Sequence, residues 1–387
     1  MVNKSKKFST KCVHEGEIKD TMFQGIVSPL FMSTTYPWYG GEDAEKKPYP
    51  RYFNTPNQEF LSKKIAALEN GEKALIFSSG MAAISTSIMA NVKSGDHIIF
   101  QEDLYGGTRN FIKTEFGKYG IEYSFTKGLD SNHFSDEIKE NTVGIYVESP
   151  SNPLLKIVDL KAISSIANQK SIWTMIDNTF ASPVNQNPIN HGIDIVIHSA
   201  TKYLGGHSDI SAGAVISTDS NIKKILDSAR NFGGNLSDYT VWLLERSMKT
   251  LHIRVKEQTR NAKLLAKMLS ENDNIITVYY PGLSSHPSHD IAKSQMNDFG
   301  AMMSFDLKEN VDVYTFLKSL EIIKPGMSLA GVETTVNFPI KTSHGLLTQK
   351  ERDNQGIGDK LIRLSVGIED YEDLYDDLDN AIKKSIK

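Results

Sequence analysis

Six short, largely apolar runs recur along the first half of this chain: Ala74–Phe77, His97–Phe100, Ile121–Phe125, Val143–Val147, Ile172–Ile176 and Ile193–His198. Runs of this length, rich in β-branched and aromatic residues, read as strands of a buried sheet. Helical spacing lies between them. From Gln58, residues Phe60, Leu61, Ile65 and Leu68 fall on one face until Asn70-Gly71 stops them. A small-residue helix follows Ser78-Ser79-Gly80-Met81 through Met89, and another starts at Arg109. Repeated strand, loop and helix leave few architectures open. The expected one is α/β: a mainly parallel sheet with helices on both faces.

In such sheets ligands sit off the carboxyl ends of the strands, and there the unusual residues of this chain collect: Ser79, Tyr105, Asn152, Asp177 and Lys202. After Ile193–His198 the apolar signal stops at Ser199-Ala200-Thr201-Lys202, and Gly205-Gly206 forbids a long helix. A lysine with two hydroxyls just upstream suits a cofactor carrying both a carbonyl and a phosphate, the amine condensing with the first and the hydroxyls holding the second. Asp177, delivered from the neighbouring strand, is the carboxylate that a protonated pyridine nitrogen requires. Ser78-Ser79-Gly80-Met81, between strand and helix, offers free backbone N–H groups to a phosphate. Taken singly these are ordinary features, a surface lysine or a strand-to-helix turn. Their common location argues for one site.

The flanks differ from this middle. Residues 1–55 hold Pro29, Pro37, Pro48 and Pro50, many aromatics and no long periodic stretch, which reads as an arm that packs on another subunit. Residues 56–250 form the expected large domain. Beyond, strands near Ile275–Tyr279, Met302–Asp306 and Leu361–Val366, with helices near Val311–Leu320 and Tyr371–Ser385, suggest a smaller α+β domain over 251–387. From Val241 to about Leu269 the chain reads as helical, with Leu243, Leu244, Met248, Leu251 and Val255 on one face. A chain of 387 residues exceeds one hydrophobic core, in keeping with two domains. The net charge of −4 gives no footprint for nucleic acid or anionic lipid. The single cysteine, Cys12, excludes an internal disulfide framework. No secretory signal or membrane-spanning run is expected, so the expected location is the cytoplasm.

Longer motifs in this order resemble a known family. They are Ser78-Ser79-Gly80-Met81, Leu104-Tyr105-Gly106-Gly107-Thr108, Glu148-Ser149-Pro150-Ser151-Asn152-Pro153, Asp177-Asn178-Thr179-Phe180, His198-Ser199-Ala200-Thr201-Lys202-Tyr203, Tyr280-Pro281-Gly282-Leu283 with Ser285-His286-Pro287, and Arg363-Leu364-Ser365-Val366-Gly367-Ile368-Glu369. The chain is similar to the cysteine/methionine-metabolism enzymes, fold-type I pyridoxal phosphate proteins that include cystathionine lyases and synthases and methionine γ-lyase. The resemblance implies that Lys202 binds pyridoxal 5'-phosphate and shuttles protons, that Asp177 pairs with the pyridine nitrogen, and that Tyr105 stacks on the ring. It implies that Gly80, Met81, Ser199 and Thr201 hold the phosphate. Tyr49 and Arg51 match a Tyr-x-Arg that reaches the neighbouring subunit's phosphate site, so a homo-oligomer is expected, a homotetramer of two dimers. Tyr49 and Tyr105 are the candidate general acids beside Lys202. Arg363 would grip the substrate α-carboxylate, helped by Asn152 and Ser328. His286 and His289 have no third ligand nearby and the family uses no metal, so no metal is expected.

Three departures bear on the substrate. After Arg51 the family commonly reads Ser-Gly-Asn-Pro-Thr, against Tyr52-Phe53-Asn54-Thr55-Pro56-Asn57 here. Many γ-acting members carry glutamate where this chain has Met327. Gly107 stands where methionine γ-lyases typically have cysteine. The favoured expectation is a carbon–sulfur lyase of transsulfuration and methionine biosynthesis, specifically cystathionine β-lyase. Cystathionine γ-lyase or γ-synthase come next and methionine γ-lyase behind them. A cofactor-binding regulator would need a DNA-binding segment that is not evident, and an aminotransferase fits the arm-plus-lysine pattern poorly.

Overall fold

The computed structural model describes residues 6–39, 47–345 and 347–387. Of the expected arm, residues 1–5 and 40–46 lie outside the described residues. Strands β1 (Lys73–Phe77), β2 (His97–Phe100), β3 (Glu122–Phe125), β4 (Thr142–Glu148), β5 (Trp173–Asp177), β6 (Ile195–His198) and β7 (Gly213–Ser217) form one sheet in the order β1-β7-β6-β5-β4-β2-β3. From β3 to β6 every pairing is parallel, while β7 runs antiparallel to both its neighbours. Successive side chains alternate between two buried layers. Ile98, Phe100, Tyr146, Met175, Ile195 and Ile197 face one layer, and Ile99, Ile145, Val147, Ile176 and Val196 the other. A sheet buried on both faces needs apolar residues at consecutive positions, which is why the strands read as runs.

The helices begin where the capping chemistry is. Helix Pro56–Glu69 opens on a capping box of Thr55 and Gln58 and closes on left-handed Asn70. Helix Gly80–Ala90 starts after Ser79, whose Oγ accepts from the Ala82 amide at 3.0 Å.

A second sheet combines β8 (Ile275–Tyr279), β9 (Met302–Leu307), β10 (Lys324–Pro325), β11 (Thr335–Asn337) and β12 (Leu361–Ser365), ordered β10-β11-β12-β9-β8. Its pairings are antiparallel except β10 with β11. Helix Tyr371–Lys383 packs on helix Leu251–Ser270, and one buried cluster runs from Leu61 through both sheets to Ile382.

Two features add detail to the sequence reading. The helical stretch from Val241 is divided into two helices, Asp238–Met248 and Leu251–Ser270. The Ser247 carbonyl there accepts the Thr250 hydroxyl (3.1 Å) and Arg254 Nη2 (3.0 Å), so side chains take over the bonding that would have continued the helix. The arm also contains a short helix, Phe8–His14, which buries Cys12 completely. Buried Lys64 ties it down, donating to the carbonyls of Cys12 (2.9 Å) and Val13 (3.2 Å). Farther along the arm, Phe23, Ile26, Trp38 and Tyr39 remain exposed. Among the described residues, no helix is long and apolar enough to cross a membrane.

Candidate active site

The carboxyl ends of β4, β5 and β6, the turn after β1 and two segments of the second sheet enclose a cavity of about 550 Å³. Lys202 enters it four residues after β6. The chain turns there through bonds from the Lys202 amide to Ser199 O (3.0 Å) and from the Gly205 amide to Ala200 O (2.8 Å). The Thr201 hydroxyl and the Ala212 peptide bond each other twice, at 3.1 and 3.0 Å, closing the loop on itself. Lys202 Nζ donates to Ser328 Oγ at 2.8 Å. Burial, helped by the nearby Arg363 charge and opposed by Asp177, brings the amine down to about 8. A sizeable fraction is then neutral, and so nucleophilic, near neutral pH.

Asp177 closes β5 beside Ile197 of β6. It is nearly buried, and burial raises its carboxyl above the ordinary range. The Thr179 amide (3.0 Å from Oδ1), His198 and Lys202 counteract this. A cationic N–H in the cavity would complete the compensation. Thr179 also accepts the Ser199 amide at 2.8 Å, which locks the β5 and β6 ends together.

On the adjoining wall, Gly80 and Met81 occupy the first turn of their helix, where amides have no intrahelical acceptor. A Cβ on Gly80 would stand 2.8 Å from Ser199 Cβ, so only glycine lets Ser199 abut this helix end. The Thr201 hydroxyl is committed to Ala212, which leaves Ser199 and the two amides as the better anion donors on this wall. An amine, a buried carboxylate and a helix N-terminus with a hydroxyl beside it form the donor set that a phosphorylated pyridine aldehyde needs. Tyr105 adds an aromatic face at the cavity mouth. Its ring folds over Gly107: a Cβ there would lie 2.5 Å from Tyr105 Cε1.

Arg363, on β12, brings a second charge to the cavity. It is buried, and burial lowers its guanidinium to about 10 against the pull of Glu148. Nη1 donates to Asn152 Oδ1 (2.9 Å) and Nη2 to the Ser328 carbonyl (3.2 Å), both neutral oxygens, while Nε is buried without a partner among the described residues. Such a group calls for a carboxylate. Ser328 takes a left-handed backbone, φ 74°, which costs a non-glycine residue roughly 1–3 kcal/mol. Its hydroxyl and carbonyl face Lys202 and Arg363 in return. Met327, beside it, is 74% exposed on the cavity wall.

Gly80, Met81, Tyr105, Asn152 and Asp177 thus meet Ser199, Thr201, Lys202, Ser328 and Arg363 around one cavity. Tyr49 and Arg51 do not line it. Arg51 bonds the Arg230 carbonyl at 2.8 Å and lies over the rings of Tyr49 and Tyr52. His286 and His289 turn to the carbonyls of Leu154 (3.3 Å) and Pro281 (2.8 Å). Among the described residues, no three His, Cys, Asp or Glu side chains group as a metal site would require. Sequence reasoning missed Glu148, Thr342 and Ser343, which also line the cavity. Glu148 carried a signal, an acid ending an apolar strand; the other two sit in a loop with none.

The family model described as "Cys/Met metabolism PLP-dependent enzyme" matches residues 9–383. The chain is 40% identical to the cystathionine beta-lyase of Lactococcus lactis subsp. cremoris over 97% of its own length and 98% of that protein. It is 38% identical to a cystathionine gamma-lyase of Bacillus subtilis, covering 97% and 99% of the two chains. Its fold matches the crystal structure of cystathionine gamma-lyase from Lactobacillus plantarum complexed with L-serine, with a TM-score of 0.94, 36% identity and coverage of 98% and 99%.

Proposed function

The chain belongs to the pyridoxal-phosphate-dependent enzymes of cysteine and methionine metabolism, and from that premise we propose that it cleaves cystathionine by β-elimination. Homocysteine, pyruvate and ammonia are the products, with one water consumed. When bound, the cofactor supplies a sink for the electron pair left at Cα. Lys202, Asp177, Ser199 and the amides of Gly80 and Met81 are the groups that would hold it.

The remaining work falls to the chain. Arg363 receives the α-carboxylate with its unpartnered Nε and bonded fork, and Asn152 keeps that fork in place. Lys202 Nζ, an amine with a pKa of about 8, can take the Cα proton and deliver one to the departing sulfur. Ser328 Oγ orients that amine while it waits. Tyr105, at the cavity mouth, is the second proton donor within the chain.

One observation carries the choice of β-cleavage. The carboxylates that line the cavity are Glu148 and Asp177, both buried at strand ends, while its outer wall presents Met327. Among the described residues the outer wall therefore offers no acid to pair with a distal ammonium, and the far end of the thioether meets an adaptable apolar side chain. Cystathionine γ-cleavage is the second reading, favoured by the similarity to γ-lyases. A product assay on cystathionine separates the two: pyruvate with homocysteine is expected, and a predominance of 2-oxobutyrate with cysteine would overturn the assignment.

Tyr49 and Arg51, placed away from their own cavity, serve the phosphate wall of a second copy of the chain. The exposed apolar residues of the arm, Phe23, Ile26, Trp38 and Tyr39, are surface for that contact. Two such dimers would make the tetramer.

A further inference from the structure

Glu148 has no task in the chemistry above, yet it is a carboxylate almost fully removed from water at the end of β4. Its main chain is clamped by buried Gln101: the Glu148 amide donates to Gln101 Oε1 (2.9 Å), and Gln101 Nε2 donates to the Glu148 carbonyl (3.0 Å). The side chain spans two loops from that fixed base. Oε2 accepts the Tyr105 amide at 2.8 Å, and Oε1 accepts the Asn152 amide at 3.2 Å. Tyr105 is the aromatic face at the cavity mouth, and Asn152 is the residue whose side chain holds Arg363 Nη1.

We propose that Glu148 is a positioning residue that ties the Tyr105 loop to the Asn152–Arg363 grip, so that the cofactor face and the substrate-carboxylate site move as one unit. The tie needs both oxygens. A neutral amide keeps one acceptor and turns an NH₂ toward a backbone N–H. An aspartate keeps the charge but is one methylene too short to span both amides. Electrostatics support the arrangement. Burial and the Asp177 charge push the Glu148 carboxyl well above its ordinary range, and the two amides oppose that shift. Each amide contact thus favours the charged carboxylate against burial, and losing either removes part of that support.

The proposal rests on the reading that Arg363 and Asn152 bind the α-carboxylate, and its test keeps the two apart. In holoenzyme, binding of glycine, an unreactive carboxylate-bearing amine, is followed by the visible spectrum, and KM and kcat are measured with cystathionine. Glu148→Gln and Glu148→Asp should each weaken glycine binding and raise KM about tenfold, with a smaller fall in kcat. The double variant Glu148→Gln/Asn152→Ala should match Asn152→Ala in KM to within about twofold, because Glu148 acts through Asn152. Additive losses, or a lowered melting temperature with unchanged KM, would make Glu148 merely structural and overturn the proposal. If Arg363→Ala leaves glycine affinity unchanged, the carboxylate reading itself fails; if Arg363→Ala weakens it and Glu148→Gln does not, only the positioning role falls. One measurement needs no variant. Glycine binding to wild-type holoenzyme should slow hydrogen exchange at the Tyr105 amide, and unchanged exchange would sink the coupling.

Discussion

Lys202 Nζ and Ser328 Oγ meet at 2.8 Å, joining the loop after β6 of the first sheet to the β10–β11 connection of the second. The amine is thus held by the part of the chain that also carries Met327 and Arg363. One hydrogen bond thus links the two sheets across the cavity.

A lysine brought down to about 8 has roughly a few-hundred-fold more free amine at pH 7 than an ordinary one. Only the neutral form can capture a carbonyl, so the rate of cofactor uptake by apoprotein should rise with pH and level off above about 8. Stopped-flow absorbance would check this, and a midpoint near 10 would contradict it. Lys202→Ala should lower turnover by about 10²–10⁴ and abolish borohydride trapping of the cofactor.

Arg51→Ala should weaken cofactor retention by about 1.5–3 kcal/mol, the worth of a charge-assisted contact. Equilibrium dialysis would measure it. Mixed dimers of Arg51→Ala and Lys202→Ala chains should regain up to about one site in two, as sharing between copies requires. A fully active wild-type monomer would rule the sharing out.

Met327→Glu should raise the share of 2-oxobutyrate among the products from cystathionine. An acid on the outer wall can pair with a distal ammonium and fix one orientation of a nearly symmetric thioether. An unchanged product ratio would clear Met327 of any part in the choice.

Gly107→Ala should lower kcat with little effect on folding. The new methyl would stand 2.5 Å from Tyr105 Cε1 and displace the ring at the cavity mouth, while the backbone there remains helical. A change of the visible band of holoenzyme should accompany the loss; unchanged spectrum and rate would show that the ring accommodates.

The parallel part of the first sheet was legible because both its faces are buried, which forces consecutive apolar residues into the sequence. β7 was not, since Gly213–Ser217 follows a polar loop where the repeating pattern places a helix, although the amphipathic helix Asp219–Phe232 comes directly after it. The break at Lys249–Thr250 escaped because the apolar spacing continues on both sides and Arg254 makes the interruption from a turn away. Lys202 and Asp177 could be placed from their strands alone. Glu148 could be placed too, but its purpose depends on two loops more than forty residues upstream and four residues downstream, a relation that only folding creates. Thr342 and Ser343 reach the cavity by way of β11 and β12, with no local pattern to announce them.

The division of the cavity between two sheets decides what a replacement can reach. Most groups suited to the cofactor come from segments before residue 203, whereas Met327, Ser328 and Arg363 are supplied from beyond residue 320. A replacement at exposed Met327 changes the outer wall of the cavity and leaves the first sheet's contribution as it was, whereas one at Ser328 also reaches the Lys202 amine.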